Sequence, residues 1–432
     1  MKLTAYSKVL LINIFLFAMP QARSQVAFSD YFTGERLRVE YSLSGNANEC
    51  KISDVVFYQE PVWGGNPIHL IDTFRYGEML VEVFDSESGI LIYSRGYSTL
   101  FQEWQTVEEA KKKDSLIVAT IQLPYPKKSV RIRFKLRIGA EFKTLFQTRF
   151  RPGITAIRKT VSPAGSEVRM LQEAGEPEKK MDIALLAEGY TEKEKDRFFE
   201  DAKHLADRFL QWEPYHSLKD SINLYAVYIA SDQSGADDPR DSIWVETALG
   251  CSFNTFGSDR YLTSRKPQLI FDLVSEIPWD QVCVLVNTSK YGGGGVYNSF
   301  TFLSAGNEEF AEFLLMHEFG HAFAALADEY YTSSVAYSEF FDLDKEPYQP
   351  NITTLVDFDR KWKSMLNDSI PVPTPDSSIY DGVVGVFEGA GYSAKGIYRP
   401  YRSCTMKDKY TMEFCPVCRE AIADMIRFHS AW

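Results

Sequence analysis

The chain has 432 residues, 45% of them hydrophobic and 25% charged, with 59 acidic against 47 basic side chains and a formal charge of −12. That acidity excludes the basic footprint of a nucleic-acid or anionic-membrane binder. The length is too great for one small domain, and the composition is that of a globular protein with a large core.

Residues 1–24 read as a signal peptide. Lys2 and Lys8 precede the apolar run Val9 to Ala18, Pro20 breaks it, and Ala22-Arg23-Ser24 offers a small-x-small cleavage site. The run is too short to span a bilayer, although an N-terminal anchor is the alternative. No cysteine follows it to carry a lipid, and no later stretch is long and apolar enough for a membrane span. Removing Lys2, Lys8 and Arg23, with no acid, takes the charge from −12 to −15. The expectation is an exported protein, periplasmic, cell-surface or secreted, with no integral membrane segment after cleavage.

Residues 25–150 read as all-β. Short alternating runs such as Arg36 to Ser42, Met79 to Phe84 and Val130 to Arg137 are separated by turn residues, which suggests a sandwich. His69 is the only histidine there, so this domain is expected to be structural or to present substrate, with glycan or protein binding as the alternative. Residues 151–180 are polar and turn-rich and are read as a linker.

From residue 181 to 432 strand and helix patterns alternate, so the second domain is expected to be α/β. Ile183 to Tyr190 is a strand and turn, and Thr191 with Glu194 forms a capping box for the next helix. Ile222 to Ile229 is another strand. The acids of the loop Ser231 to Pro239 offer a Ca²⁺ site, but their spacing is not that of an EF-hand, and a solvated loop is the plainer reading. A strand follows at Gln281 to Asn287. Gly292 to Phe302 is expected to form an edge strand beside a cleft, able to pair with an extended substrate, with a simple mobile loop as the alternative.

The chemistry is concentrated in His317-Glu318-Phe319-Gly320-His321. On a helix, histidines four apart share a face and reach one metal ion. Zn²⁺ accepts such nitrogens in a tetrahedral site that keeps a position for water, and Glu318 stands where it can take that water's proton. The flanking residues Phe310 to Leu326 are apolar on nearly every side, which predicts a buried central helix capped by Ser304 or Asn307. The chain has only six histidines, so this pairing around a glutamate is specific.

A third protein ligand is expected. The metzincin spacing would put a glycine at 324 and a ligand at 327, but both positions are alanine. Asp328 comes one residue late and could bind only if the helix ended near Leu326 and the chain turned back. Glu329 and the distant Glu388 are the alternatives. Met406 is a candidate floor beneath the metal, and Tyr398 or Tyr401 a candidate oxyanion donor. Among six cysteines, Cys283 reads as a buried thiol. Cys415 and Cys418 form a C-x-x-C, from which a disulfide to Cys404 is expected in preference to a zinc ribbon or redox pair. The chain closes on an amphipathic helix, Pro416 to His429, with His429 expected at its surface or end.

The run from His317 to Tyr330, with Glu388-Gly389-Ala390, Tyr398-Arg399-Pro400, Cys404-Thr405-Met406 and Phe414 to Cys418, resembles the IgA-peptidase family of zinc metallopeptidases. The resemblance covers about residues 180 to 432, and residues 25–150 are similar to the β-sandwich that precedes that domain in exported bacterial members. It implies a metzincin-like zincin with His317 and His321 as ligands, Glu318 as base and a protein or peptide substrate, without implying immunoglobulin as that substrate. A catalytically silent surface binding protein and a zinc hydrolase of non-peptide bonds are the rival readings. Glu318 argues against the first, since a scaffold has no use for it.

Overall fold

Alternation along the N-terminal strands gives each one a face to bury, and two sheets satisfy that need by facing each other. The computed structural model describes residues 26–160, 162–331 and 341–431. The expected signal peptide lies outside them. Helix α1 (Phe28–Tyr31) leads into β1 (Phe32–Gly45), β2 (Cys50–Glu60), β3 (Met79–Asp85), β4 (Leu91–Tyr97), helix α2 (Leu100–Gln105), β5 (Ser115–Pro126), β6 (Val130–Ile138), β7 (Glu141–Phe150) and β8 (Ile157–Lys159). The sheets run β5-β1-β2-β8 and β4-β3-β6-β7. Leu37, Val39 and Tyr41 of the first share one core with Val81, Ile132 and Phe134 of the second. The N-terminal domain is a β-sandwich.

The segment expected to be a plain linker holds two strands. β8 pairs with β2, and β9 (Glu167–Gln172) pairs antiparallel with a strand of the next domain. Both lie at sheet edges and bury almost nothing. Edge strands of this kind carry no apolar alternation to read.

The second domain is α/β. Its strands β10 (Met181–Glu188), β11 (Ile222–Tyr228), β14 (Gln281–Val286) and β16 (Phe300–Ser304) are parallel, in the order β15-β16-β14-β10-β11-β9. The edges, β9 and β15 (Gly293–Val296), are antiparallel. β10, β11 and β14 are buried along their whole length because helices cover both faces. Ile183 and Leu185 meet α3 (Lys195–Phe209), α5 (Ala311–Ala324) and α6 (Pro416–His429), while Ala184 and Leu186 meet α4 (Pro267–Leu273). Two ribbons complete the fold, β12 (Cys251–Ser252) with β13 (Thr263–Ser264), and β17 (Phe387–Ala390) with β18 (Ser393–Arg399). Among the described residues no helix is long and apolar enough to cross a membrane.

The domains are joined through two buried arginines of the sandwich. Arg38 lies 2.7 Å from Glu60 and 2.5 Å from Asp272 on α4, and Arg36 lies 2.8 Å from both Glu60 and the Ile277 carbonyl. His429 belongs to this seam rather than to the surface. It is 1% exposed, at the end of α6, and lies 2.9 Å from Asp280 and 2.7 Å from Arg95 of the sandwich.

Candidate metal centre

Helix α5 is apolar on nearly every side, so it lies inside the domain and any polar group on it needs a partner. Asn307 provides its start, its side chain accepting from Phe310 N–H at 3.0 Å and its carbonyl from Ala311 N–H at 2.8 Å. Ser304 bonds the Gly292 carbonyl instead. The helix stops at Ala324. Ala325 takes a left-handed conformation (φ 52°, ψ 31°), and Leu326 N–H donates back to the Gly320 carbonyl at 3.2 Å. This turn returns the chain towards the helix and brings Asp328 to the two histidines.

Nδ1 of His317 faces the Thr405 carbonyl at 3.1 Å, and Nδ1 of His321 faces the Leu326 carbonyl at 2.6 Å. A carbonyl can only accept, so both Nδ1 atoms carry a proton and both Nε2 atoms are turned to the site. Those Nε2 atoms are 3.2 Å apart, and Asp328 Oδ1 is 3.1 Å from the first and 3.3 Å from the second. A tetrahedral ion with bonds of about 2.0–2.1 Å needs ligand atoms about 3.3 Å apart. The triangle fits such an ion, and Asp328 Oδ1 is buried with no hydrogen-bond donor of its own. Its Oδ2 accepts from the Tyr392 hydroxyl. Burial opposes charge on His321, yet Asp328 overcomes it and raises the imidazole to about 9. Burial likewise opposes the Asp328 carboxylate, and the imidazoles outweigh it and hold its pKa well below the ordinary range. The pocket is built around positive charge.

Glu318 sits between the helix and strand β15. A Cβ on Gly293 would stand 2.7 Å from Glu318 Oε1, and one on Gly295 would collide with the Glu318 carbonyl oxygen. Only glycine lets the strand lie this close. Burial raises the Glu318 pKa, partly offset by the two imidazoles. β15 is the sheet edge expected beside the cleft, but the backbone of Gly293 is already paired with Arg260 and Leu262. A substrate strand therefore has less free edge than the sequence suggested. The cleft outside has a volume of about 540 Å³, and Glu78, Ser98, Glu103 and Thr106 of the sandwich line it with the metal-centre residues.

A family model described as IgA Peptidase M64 matches residues 169–380 and 376–426, and one described as Peptidase M64 N-terminus matches residues 27–150. The chain belongs to the M64 peptidase family. No curated protein matches it. As an M64 peptidase it acts on protein or peptide substrates, and its candidate metal-binding groups are His317, His321 and Asp328 together with a second cluster that includes Glu329.

Other expected site residues fall elsewhere. Glu329 turns away from Asp328 and into that second cluster. Glu388 lies outside both clusters, with Lys395 at 2.7 Å and the Gly396 N–H at 3.1 Å. Met406 is fully buried, with Sδ 3.1 Å from where a Gly320 Cβ would stand, so it lies against the helix turn that carries both histidines. Tyr398 is paired with Glu388 and Thr353, and neither it nor Tyr401 lines the cleft. Two of the three loop acids offered for Ca²⁺ are already neutralised, Asp237 by Arg265 and Asp238 by Lys290 at 2.6 Å. Asn351 is 0% exposed, its amide bonded to both backbone groups of Ala327. The expected disulfide is absent, and the six cysteines are free thiols.

Sequence reading missed Thr405, Tyr392, Tyr330 and Arg260. Arg260 Nη2 donates to the Tyr330 hydroxyl at 3.1 Å, and the Tyr330 and Tyr392 rings meet edge to face at 5.3 Å. Tyr330 stands two residues after Asp328 and could have been found. Arg260 and Tyr392 come from loops far away in the sequence and carry no local pattern.

Proposed function

We propose that this peptidase is an exported zinc-dependent endopeptidase, with His317, His321 and Asp328 as ligands and Glu318 as general base. The observation that carries the reading is the triangle of Nε2, Nε2 and Oδ1 atoms 3.1–3.3 Å apart, with both Nδ1 atoms committed to carbonyls. Zinc held there would supply a Lewis acid for the scissile carbonyl and lower the pKa of water to about 7. Glu318 accepts the proton of the attacking water and later delivers it to the leaving amine. Its raised proton affinity suits both transfers. Arg260 and Tyr330, in the cleft wall, offer N–H and O–H donors to the carbonyl oxygen as it gains charge. Tyr392 keeps Asp328 oriented through Oδ2. The sandwich helps to present the substrate, since four of its side chains face the same cleft. Export rests on the leader pattern of Lys2, Lys8 and Val9 to Ala18.

The test is zinc content, read by elemental analysis of wild type beside Asp328→Ala. The variant should lose one zinc per chain and all peptide hydrolysis. A zinc count equal to wild type would remove Asp328 from the site.

A further inference from the structure

Four groups far apart in the chain meet in a second buried cluster. Cys404 comes from the segment after β18, Cys415 and Cys418 from the start of α6, and Glu329 from the turn after α5. All four are at most 2% exposed, and one ligand atom from each lies within 4.8 Å of the others. Cys404 Sγ and Cys418 Sγ are 3.8 Å apart, and Cys418 Sγ is 3.3 Å from Glu329 Oε1. Tetrahedral zinc with bonds of about 2.3 Å to sulfur and 2.0–2.2 Å to oxygen sets edges of about 3.8 Å and 3.5–3.7 Å. The sulfur pair matches, and the sulfur–oxygen pair is within a few tenths of an ångström.

The chemistry of the surroundings agrees. Glu329 is buried with no ion pair among the described residues, and its Oε2 has no hydrogen-bond partner. Asn351 Nδ2 donates to its Oε1 at 2.9 Å, and the charge of a buried carboxylate of that kind must be neutralised by a proton or by a cation. Cys415 and Cys418 stand at the N-terminus of a 14-residue helix, where N–H groups and the dipole favour thiolates. Cys415 N–H points at Cys404 Sγ at 3.3 Å. Three thiols also leave one unpaired in any disulfide scheme, whereas three thiols and a carboxyl make a complete four-ligand set.

We propose that Glu329, Cys404, Cys415 and Cys418 bind a structural zinc ion, separate from the catalytic centre and joined to it through the backbone. Glu329 follows Asp328 directly, and its N–H donates to the Met406 carbonyl at 2.8 Å. Cys404 precedes Thr405, whose carbonyl orients His317, and Met406, which lies against Gly320. One ion thus clamps the turn that delivers Asp328 onto the segment that positions His317. The site has no outlet to the cleft, since none of its four ligands lines that cavity, so its role is to hold rather than to react.

The experiment uses the full chain with both catalytic histidines replaced, His317→Ala/His321→Ala, exposed to Zn²⁺ and desalted. This variant should retain about one zinc per chain, with a zinc X-ray absorption spectrum showing three sulfur neighbours at about 2.3 Å. Non-reducing peptide mapping after denaturation in chelator should find Cys404, Cys415 and Cys418 all alkylated. Adding Cys415→Ser and Cys418→Ser should abolish the remaining zinc. Absence of zinc in the histidine variant, a spectrum without sulfur, or a disulfide between any two of these cysteines would overturn the proposal, and none of these readouts depends on the quadruple variant folding. Should the histidine variant match wild type at one zinc with sulfur ligands, this site would stand and the catalytic zinc reading would fall.

Discussion

Tyr392→Phe removes one oxygen atom from the hydrogen bond that orients Asp328. The hydroxyl donates to Oδ2, leaving Oδ1 to point at His317 and His321, which lie 3.1 Å and 3.3 Å from it. The phenyl ring keeps its edge-to-face contact with Tyr330 at 5.3 Å, and the backbone N–H of residue 392 keeps its bond to the Tyr330 carbonyl at 3.0 Å. Packing is therefore conserved, and the change removes only the hydroxyl, which bonds the Tyr330 side chain as well as Asp328. A hydrogen bond to a charged acceptor contributes about 1.5–3 kcal/mol, and loss of an outer partner of a metal ligand costs about 10–100-fold in affinity, or about 1.4–2.8 kcal/mol. The two figures agree. Zinc affinity of the catalytic centre should fall about 10–100-fold, measured by competition with a chromophoric chelator on a background carrying Cys415→Ser and Cys418→Ser, or on the wild-type chain by resolving the weaker of two sites. Affinity within a factor of two of the parent, with the fold intact, would refute the idea that Tyr392 positions Asp328.

Two other outcomes follow from the cleft. Burial raises Glu103 to about 7 from its ordinary 4.5, with the Tyr261 hydroxyl offsetting part of the shift. The folded state therefore holds this proton more tightly than the unfolded chain does, so its contribution is fully present below about pH 4.5 and is lost as pH rises through about 7. Glu103→Gln should flatten that decline and leave the variant more stable than wild type at pH 8, as read from denaturant midpoints across pH; parallel profiles would contradict this. Gly293→Ala places a methyl 2.7 Å from the Glu318 carboxylate, which must swing aside. Hydrolysis should drop by about 10²-fold, the scale of a roughly 1 Å misplacement, while zinc content and melting temperature stay close to wild type. Full activity in Gly293→Ala would show that the strand does not set the position of Glu318.

The parts of this structure that were legible in the sequence are those specified locally. Helix α5 declared itself through its apolar flanks, and the four-residue spacing of His317 and His321 followed from helical geometry alone. The parallel strands β10, β11 and β14 were visible as short continuous apolar runs, since both of their faces are covered. Asp328 was reachable only through a condition, that the helix end early. The left-handed Ala325 that meets the condition has no glycine to announce it, because the Gly320 carbonyl, Asn351 and the surrounding core hold the turn instead. Tyr398 and Tyr401 lie near Met406 in sequence but outside the cleft, whereas Tyr392, which meets Asp328 there, is brought in by chain folding. The same reason hid the meeting of Glu329 with three cysteines. Two of its members were visible as a C-x-x-C, but the partners lie on other segments and no spacing rule links them. β8 and β9 went unread because edge strands exposed on both faces have no period.

The central claim is that Glu318 moves the proton at a metal held by His317, His321 and Asp328. The direct measurement is hydrolysis of a denatured protein substrate by wild type and Glu318→Gln, each matched for zinc by elemental analysis. Equal zinc in both proteins with turnover reduced by about 10²-fold or more in the variant is the expected result. Equal zinc with unchanged turnover would contradict the account.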